Sequence, residues 1–247
     1  MLACYINKSV GKMSTKELAE KLVKKFGEKY SEILGIKVQT NSEKEVFKWF
    51  LASILFGAPI TEKSAIKTYR CFEKNGVLTP EKIIEAGWDE LVNILDEGSY
   101  TRYDFKTATK LLEVAENLQR SYNGSLKRLY ERASDPLDLE KKIKELGKGI
   151  GDTTVSIFLR ELRGIWTKAD PKPTSLVILA AKNLGIIKSE KIDAAKRELE
   201  DFWRQNVVEG YDFVNFETAL LRVGKDYCRK RKCKVCELNV YCKIYHR

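Results

Sequence analysis

Apolar residues recur at three- and four-residue spacing along nearly the whole chain. This is the period of an α-helix, and the alternating pattern of a β-strand is scarce. Hydrophobic residues make up 43% of the 247 residues, which is enough to bury a core. The sequence therefore predicts an all-α protein of about ten helices. The clearest helical patterns lie in residues 14–34, 43–57 and 106–124.

The charge is strongly unbalanced. Lys and Arg number 45 against 35 Asp and Glu, which gives a net charge of +10. This excess predicts an anionic partner, with nucleic acid ahead of a membrane surface, although abundant Lys and Glu are also typical of a thermophilic source. The single histidine, His246, argues against histidine-rich zinc sites and against catalytic triads or dyads that need histidine. Any chemistry must therefore use carboxylates, lysines, hydroxyls or a cysteine-bound metal.

Targeting signals are not evident in the sequence. It has no run of 18 apolar residues, so we expect no membrane span. Its first residues lack an apolar segment followed by a small-residue cleavage site. We therefore expect a cytoplasmic protein, and in a reducing compartment clustered cysteines favour metal binding over disulfides.

Four cysteines fall within fifteen residues near the C-terminus, with the spacing C-x4-C-x2-C-x5-C. Four thiolates this close can converge on tetrahedral zinc or on a cubane iron–sulfur cluster. A zinc ribbon usually has two C-x2-C pairs separated by a dozen or more residues. The spacing therefore favours a four-cysteine iron–sulfur loop, with a pair of disulfides as the alternative. The predicted ligands are Cys228, Cys233, Cys236 and Cys242.

A basic run lies between the first two of these cysteines. From residue 225 to 247 there are eight Lys and Arg against two acidic residues. A loop held by a metal cluster would present such cations as a clamp for phosphates, whereas a solvated surface run is the alternative. The run consists of Arg229, Lys230, Arg231 and Lys232.

A glycine-rich turn separates two predicted helices, at residues 139–145 and 153–162. Residues 146–155 read LGKGIGDTTV. A helix, a Gly-x-Gly turn and a second helix suit a hairpin whose backbone N–H groups bind a phosphate, and a plain connector is the alternative. The candidate DNA-binding residues are Gly147, Lys148, Gly149 and Gly151.

One carboxylate that follows the hairpin, that of Asp170, is a candidate catalytic group. Asp170 lies seventeen residues after Thr153 and precedes an apolar helix predicted over residues 175–184. A carboxylate facing a helix-bounded groove can stabilise a cationic sugar transition state or activate water. An aspartate that caps a helix or forms a turn is the alternative.

The order of hairpin, aspartate and four cysteines resembles the endonuclease III branch of the helix-hairpin-helix DNA glycosylases. Residues 50–67 resemble the early core helix of that branch, residues 96–118 the segment before its hairpin, and residues 223–228 the approach to its cluster. The likeness covers roughly residues 38–247. It implies two helical domains with DNA in the cleft between them. Residues 38–164 would form a six-helix barrel with the hairpin, and residues 1–37 with 165–247 a discontinuous domain carrying the iron–sulfur loop.

The resemblance also implies an activity. The protein would be a base-excision-repair glycosylase with a [4Fe-4S] cluster on the four cysteines, acting as a monomer on double-stranded DNA in the nucleoid of a prokaryote. It would flip a damaged or mismatched base out of the duplex. Asp170 would then assist hydrolysis of the bond between base and sugar.

Departures from the family pattern bear on the subtype. Bifunctional members carry a lysine that forms a Schiff base with the sugar, and Thr153 stands at that position. We therefore predict a monofunctional glycosylase in which Thr153 at most positions water or a phosphate. One alternative is a glycosylase with AP lyase activity through Lys148 or Lys168. An alternative of another class is a non-catalytic protein that binds DNA structures on the same fold.

Other departures leave the excised lesion open. Ala52 stands where adenine-specific relatives carry a glutamate, and Ala58 followed by Pro59 where many members carry a wedge glutamine. The first cysteine gap is four residues rather than six. Candidates for stacking on a flipped base, although such aromatics are also typical of a helical core, are Tyr100, Tyr103, Trp49 and Trp166.

Overall fold

The computed structural model describes residues 14–245, so His246 lies outside the described residues. Between these limits the chain forms helices and short helical turns without a β-strand, which confirms the all-α class. No helix in this range is both long and apolar enough to cross a membrane. The α-helices are α1 (Thr15–Phe26), α2 (Tyr30–Ile33), α3 (Glu43–Phe56), α4 (Glu62–Lys74), α5 (Pro80–Glu97), α6 (Asp104–Tyr122), α7 (Leu126–Arg132), α8 (Pro136–Lys144), α9 (Asp152–Glu161), α10 (Ser175–Asn183), α11 (Ile192–Gln205) and α12 (Phe213–Val223).

Helix boundaries follow local capping chemistry. Ser14 accepts the backbone N–H of Glu17 at 3.1 Å, and the Glu17 carboxylate accepts the N–H of Ser14 at 2.9 Å, which forms a capping box at the start of α1. The predicted helices over 43–57 and 106–124 correspond to α3 and α6. A continuous helix over 14–34 is wrong, because α1 ends at Phe26 and α2 begins at Tyr30.

The described chain divides into two compact units. The central unit comprises residues 29–171, and the terminal unit comprises residues 14–28 and 172–245. The sequence predicted a shorter central domain, 38–164. The central unit is longer at both ends, and buried contacts hold its N-terminal extension. The Glu161 carboxylate accepts the N–H groups of Tyr30 at 2.8 Å and Ser31 at 3.1 Å.

Helix α3 forms the middle of the central unit. The ring of Phe50 packs 4.9 Å from that of Phe158 in α9, and the Trp49 indole donates to the Phe158 carbonyl at 3.0 Å. The turn between α8 and α9 packs closely against α6. A Cβ at Gly147 would lie only 2.8 Å from a Val114 methyl group. These contacts fix the position of the hairpin on the central unit.

The terminal unit has its own core. Helices α1 and α10 both pack against α12, and Phe216 of α12 stacks with Phe202 at 5.6 Å and Trp203 at 5.3 Å. The core extends into the C-terminal loop, where Cys236 and Leu238 are buried with it. The cysteine loop therefore rests on a packed helical base.

Glu161 provides a pH-dependent contribution to stability. Burial raises the pKa of its carboxyl above the usual 4.5, an effect that the Arg160 charge partly opposes. Because the pKa of Glu161 is higher in the folded protein than in the unfolded chain, its contribution to stability is greatest at pH values below the unfolded pKa. The contribution falls as the pH rises through the folded pKa. We expect Glu161→Gln to unfold at about 1–3 kcal/mol lower free energy near pH 4, because glutamine offers one acceptor oxygen to two N–H donors.

The difference in unfolding free energy between the wild type and Glu161→Gln should narrow as the pH is raised toward 8. The buried Glu161 carboxyl then becomes charged at a cost to stability, whereas glutamine stays uncharged. Urea unfolding of the wild type and the variant at several pH values measures it. A difference that widens with pH would show that the native pKa is not raised.

Candidate functional site

Backbone hydrogen bonds hold the cysteine loop. Helix α12 continues into a π-turn over Gly224–Cys228, a form that is frequent at functional sites. Two short 3-10 turns follow, over Cys233–Val235 and Asn239–Tyr241. The N–H of Cys236 donates to the Cys233 carbonyl at 3.2 Å, and that of Cys242 to the Asn239 carbonyl at 3.0 Å. Each of the four cysteines thus lies in or beside a hydrogen-bonded turn.

The four cysteines line one cavity. All four are free thiols. Within residues 14–245, no three Cys, His, Asp or Glu side chains are placed to hold a single metal ion. The rest of the lining comes from Asn183, Leu184, Val223, Tyr227 and Asn239.

The cavity disfavours bare thiolates. Burial, together with the neighbouring cysteines, raises the pKa of the Cys228 thiol to about 11, although a hydrogen bond with Asn183 acts in the opposite direction. Burial also raises the pKa of Cys236. A cationic centre in the cavity would reverse this preference, because a coordinating thiol is deprotonated outright.

Gly224 allows the π-turn to approach α10. Its dihedral angles, φ −60° and ψ −46°, are ordinary helical values, so alanine would gain roughly 1 kcal/mol of helix propensity. A Cβ there, however, would overlap the Leu176 carbonyl. We expect Gly224→Ala to lower the free energy of unfolding by about 1–3 kcal/mol, because overpacking outweighs propensity. Chemical denaturation measures the change.

Gly151→Ala is the matched control, because a Cβ at Gly151 would meet no atom within 4 Å. It should lower the free energy of unfolding by at most about 1 kcal/mol, the cost of placing alanine at an N-cap. Equal effects of the two substitutions would contradict a packing role for Gly224.

The basic run is exposed on a turn that follows the first cysteine. Arg231 has a left-handed backbone with φ 52°. Its N–H donates to the Cys228 carbonyl at 3.1 Å, and the N–H of Lys232 donates to the Tyr227 carbonyl at 3.0 Å, which is a Schellman motif. The Lys230 ammonium lies 3.2 Å from the Asp226 carboxylate. The exposed guanidinium and ammonium groups are therefore presented on an ordered turn.

The hairpin leaves backbone donors available. Gly149 has φ +89°, a conformation that favours glycine, and Gly151 is the N-cap of α9 without a side-chain cap. The N–H groups of Gly149 and Gly151 have no acceptor in the described part of the chain. Both glycines are exposed. An external anion could therefore accept from them.

The polar side chains of the hairpin point to solvent. Lys148 is exposed, while its backbone N–H donates to the Glu113 carboxylate at 2.9 Å. Thr153 is exposed in the first turn of α9. Asp152 pairs with Lys144 at 2.6 Å. Its charge complements the dipole of α9 and would compete with an incoming phosphate.

Asp170 lies in a turn at the end of the central unit. One carboxylate oxygen is 3.7 Å from Nε of Arg163, and Arg163 also donates to the Pro171 carbonyl at 2.5 Å. The alternative that Asp170 caps α10 is wrong, because Thr174 is the N-cap. The structure therefore leaves Asp170 as an exposed carboxylate oriented by an arginine.

The Lys168 ammonium group is engaged in hydrogen bonds within the protein. It donates to the carbonyls of Tyr130 and Ala133, each at 2.6 Å, and lies 4.4 Å over the Tyr130 ring. It thus satisfies the C-terminal end of α7. This contact argues against Lys168 as a substitute for the family lysine.

Three of the four aromatic candidates for a base pocket belong to the core. Trp49, Tyr100 and Trp166 are 0%, 1% and 1% exposed. Their polar atoms donate internally, to the Phe158 carbonyl, the Leu55 carbonyl and the Asn41 side chain. The prediction that they stack on a base is therefore corrected, because their rings have no accessible face. Tyr103 alone is partly exposed, with the Arg102 guanidinium 5.6 Å over its ring.

Sequence reasoning missed an exposed aromatic pair beside the hairpin. The rings of Trp88 and Phe105 lie 5.2 Å apart, at one end of a groove that reaches Lys148. The signal in the sequence was Gly87, which interrupts a helical pattern. In the structure it has a non-helical φ of 69°.

The candidate residues thus fall in two places. The central unit holds the hairpin and Asp170, and the terminal unit holds the cysteine cavity and the basic run. No protein-family model matches this sequence, and no curated protein matches it. A functional assignment therefore depends on the chemistry of these residues.

Proposed function

We propose that the protein is a DNA-repair N-glycosylase that hydrolyses the bond between a damaged or mismatched base and its sugar. The proposal is supported by a hairpin, a carboxylate and four cysteines that occur together in one chain. A hairpin whose N–H groups at Gly149 and Gly151 have no acceptor within residues 14–245 is followed by the exposed carboxylate of Asp170, and four cysteines line one cavity. This combination supports membership of the endonuclease III-like branch.

DNA binding would depend on backbone phosphates. The free N–H groups of the hairpin and the start of α9 provide one phosphate site. The exposed cations of residues 229–232 provide further charge, and the net charge of +10 favours association with a polyanion. Such contacts fix register without reading sequence, as a protein that searches for damage requires.

The donor set suits a [4Fe-4S] cluster. Four free thiols line one cavity. Four cysteine ligands are the usual ligands of a cubane cluster. When bound, the cluster would stabilise the thiolates and hold the loop that carries the basic run.

Asp170 would perform the chemistry on a flipped nucleotide. Its carboxylate can stabilise positive charge on the sugar as the base departs, or accept a proton from the attacking water. Arg163 would orient it through the 3.7 Å contact. Thr153 has no amine and cannot form a Schiff base, so water completes the reaction and the strand stays intact.

Release of free base tests the proposal. Duplexes that each contain one uracil, mismatched thymine, alkylated purine or oxidised pyrimidine are incubated with the protein, and the released base is measured by chromatography. We expect release from at least one duplex. Release from none of them would contradict glycosylase activity.

A glycosylase with lyase activity is the second candidate, and Lys110 favours it. Its side chain approaches the hairpin, with Nζ 3.4 Å from the position of a Cβ on Gly149. Burial lowers the pKa of Lys110, which favours a nucleophilic amine. Borohydride traps only a Schiff base, so a covalent adduct that is lost in Lys110→Ala or Lys148→Ala would establish this candidate.

A non-catalytic protein that binds DNA structures is the remaining candidate. It is favoured by the burial of Trp49, Tyr100 and Trp166 and by Thr153 at the lysine position. Tight duplex binding without base release would establish it.

A further inference from the structure

An exposed aromatic pair stands at the edge of the central unit. Trp88 is 39% exposed and Phe105 is 58% exposed. Their ring centroids lie 5.2 Å apart with a tilt of 42°, and the Trp88 indole is held by a 3.1 Å hydrogen bond to the Thr109 hydroxyl. The other three tryptophans are buried in their cores. Two large apolar faces are therefore held in place and open to a ligand.

A basic groove continues from this pair to the hairpin. Lys106, Lys110 and Lys148 line it, with Glu113 as the acidic residue in the lining. The Glu113 carboxylate accepts the N–H of Lys148 at 2.9 Å, so part of its charge is already engaged. Helix α6 forms the floor, and at about 1.5 Å per residue the distance from Phe105 to Glu113 is roughly 12 Å.

We propose that this groove binds an unpaired stretch of DNA, whose bases stack on Trp88 and Phe105 and whose phosphates contact the three lysines. The proposal rests on the proposed function for the identity of the polymer as DNA. Single-strand binders combine stacking aromatics with a positively charged groove in this way.

Charge and the accessibility of the bases favour an unpaired DNA strand over a duplex in this groove. In a duplex the bases are stacked on one another, so an exposed aromatic face has no base to contact. An unpaired strand offers both a free base face and a phosphate for each nucleotide. Burial lowers the pKa of Lys110, and a phosphate in the groove would restore the preference for its charged form.

Tryptophan fluorescence provides the test. Trp88 is the most exposed of the four tryptophans, so a short oligothymidine that stacks on it should quench the emission of the full-length protein. We expect Trp88→Ala combined with Phe105→Ala to weaken binding of the oligonucleotide, measured by anisotropy, by roughly fivefold to a hundredfold. Phe105→Tyr should restore most of the affinity lost with Phe105→Ala. Lys106→Ala should reduce the slope of log K against log salt by about 0.7.

Two exposed residues of α8 provide matched controls. Leu137→Ala removes an apolar side chain and Lys141→Ala removes a cation, both outside the groove, and neither should change oligonucleotide binding. The double variant should keep its duplex binding and base release. Unchanged oligonucleotide affinity in the double variant would overturn the groove while leaving the glycosylase proposal intact. Altered self-association without altered oligonucleotide binding would also overturn it.

Discussion

Replacing Asp170 with asparagine is expected to lower the rate of base release by a factor of about 10²–10⁴, the usual contribution of a carboxylate acid or base. Asparagine has nearly the same shape, but it carries no charge to stabilise the sugar cation and accepts no proton from water. The Arg163 guanidinium, 3.7 Å from the carboxylate, does not supply either function. Single-turnover base release measures the effect.

Binding to the same duplex should be retained, because the proposed phosphate contacts come from the hairpin and the basic run. Asp193→Asn is the matched control, since Asp193 is a 70% exposed aspartate in a surface ion pair with Lys172. Its base release should match the wild type. Full activity of Asp170→Asn would remove Asp170 from the mechanism.

Cys236→Ser is expected to abolish cluster binding and to destabilise the terminal unit. Cys236 lines the cavity and is also buried in the core of that unit, so the ligand and the packing are lost together. Binding energy of a structural metal is folding energy, and a loss of about 5 kcal/mol would lower the midpoint of thermal unfolding by roughly 10–20 °C. Iron content and calorimetry measure the two effects.

Wild-type protein should be brown, with broad absorbance near roughly 400 nm that the variant lacks. Cys71→Ser is the control, because Cys71 is a buried free cysteine of α4 in the central unit, and it should keep its iron. A colourless, zinc-loaded wild type would contradict the cluster.

Much of the fold could be predicted because local signals agreed with the packing. Apolar spacing and caps located α3, α6 and the helices on both sides of the hairpin. The break at Gly27 could not be predicted, since the helix cost of glycine is only about 1 kcal/mol. The break is decided by distant contacts, above all the hydrogen bonds from Tyr30 and Ser31 to Glu161.

The candidate site divides in the same way. The four cysteines lie within fifteen residues, so a short loop had to bring them close together whatever the rest of the chain did. Whether each aromatic side chain is buried or exposed depends on long-range packing. Trp49 and Trp166 have the same spacing as any helical aromatic, and only the core shows them buried. Trp88 is exposed on a helix that Gly87 kinks.

Strand cleavage that depends on alkali tests the central claim most directly. End-labelled duplexes, each with one damaged or mismatched base, are incubated with stoichiometric protein, and half of each sample is then heated in alkali. A monofunctional glycosylase leaves an intact strand with a missing base, which only alkali breaks. We predict breaks in the alkali-treated half alone for at least one lesion. Intact strands in both halves across the whole panel, despite measurable duplex binding, would contradict glycosylase function.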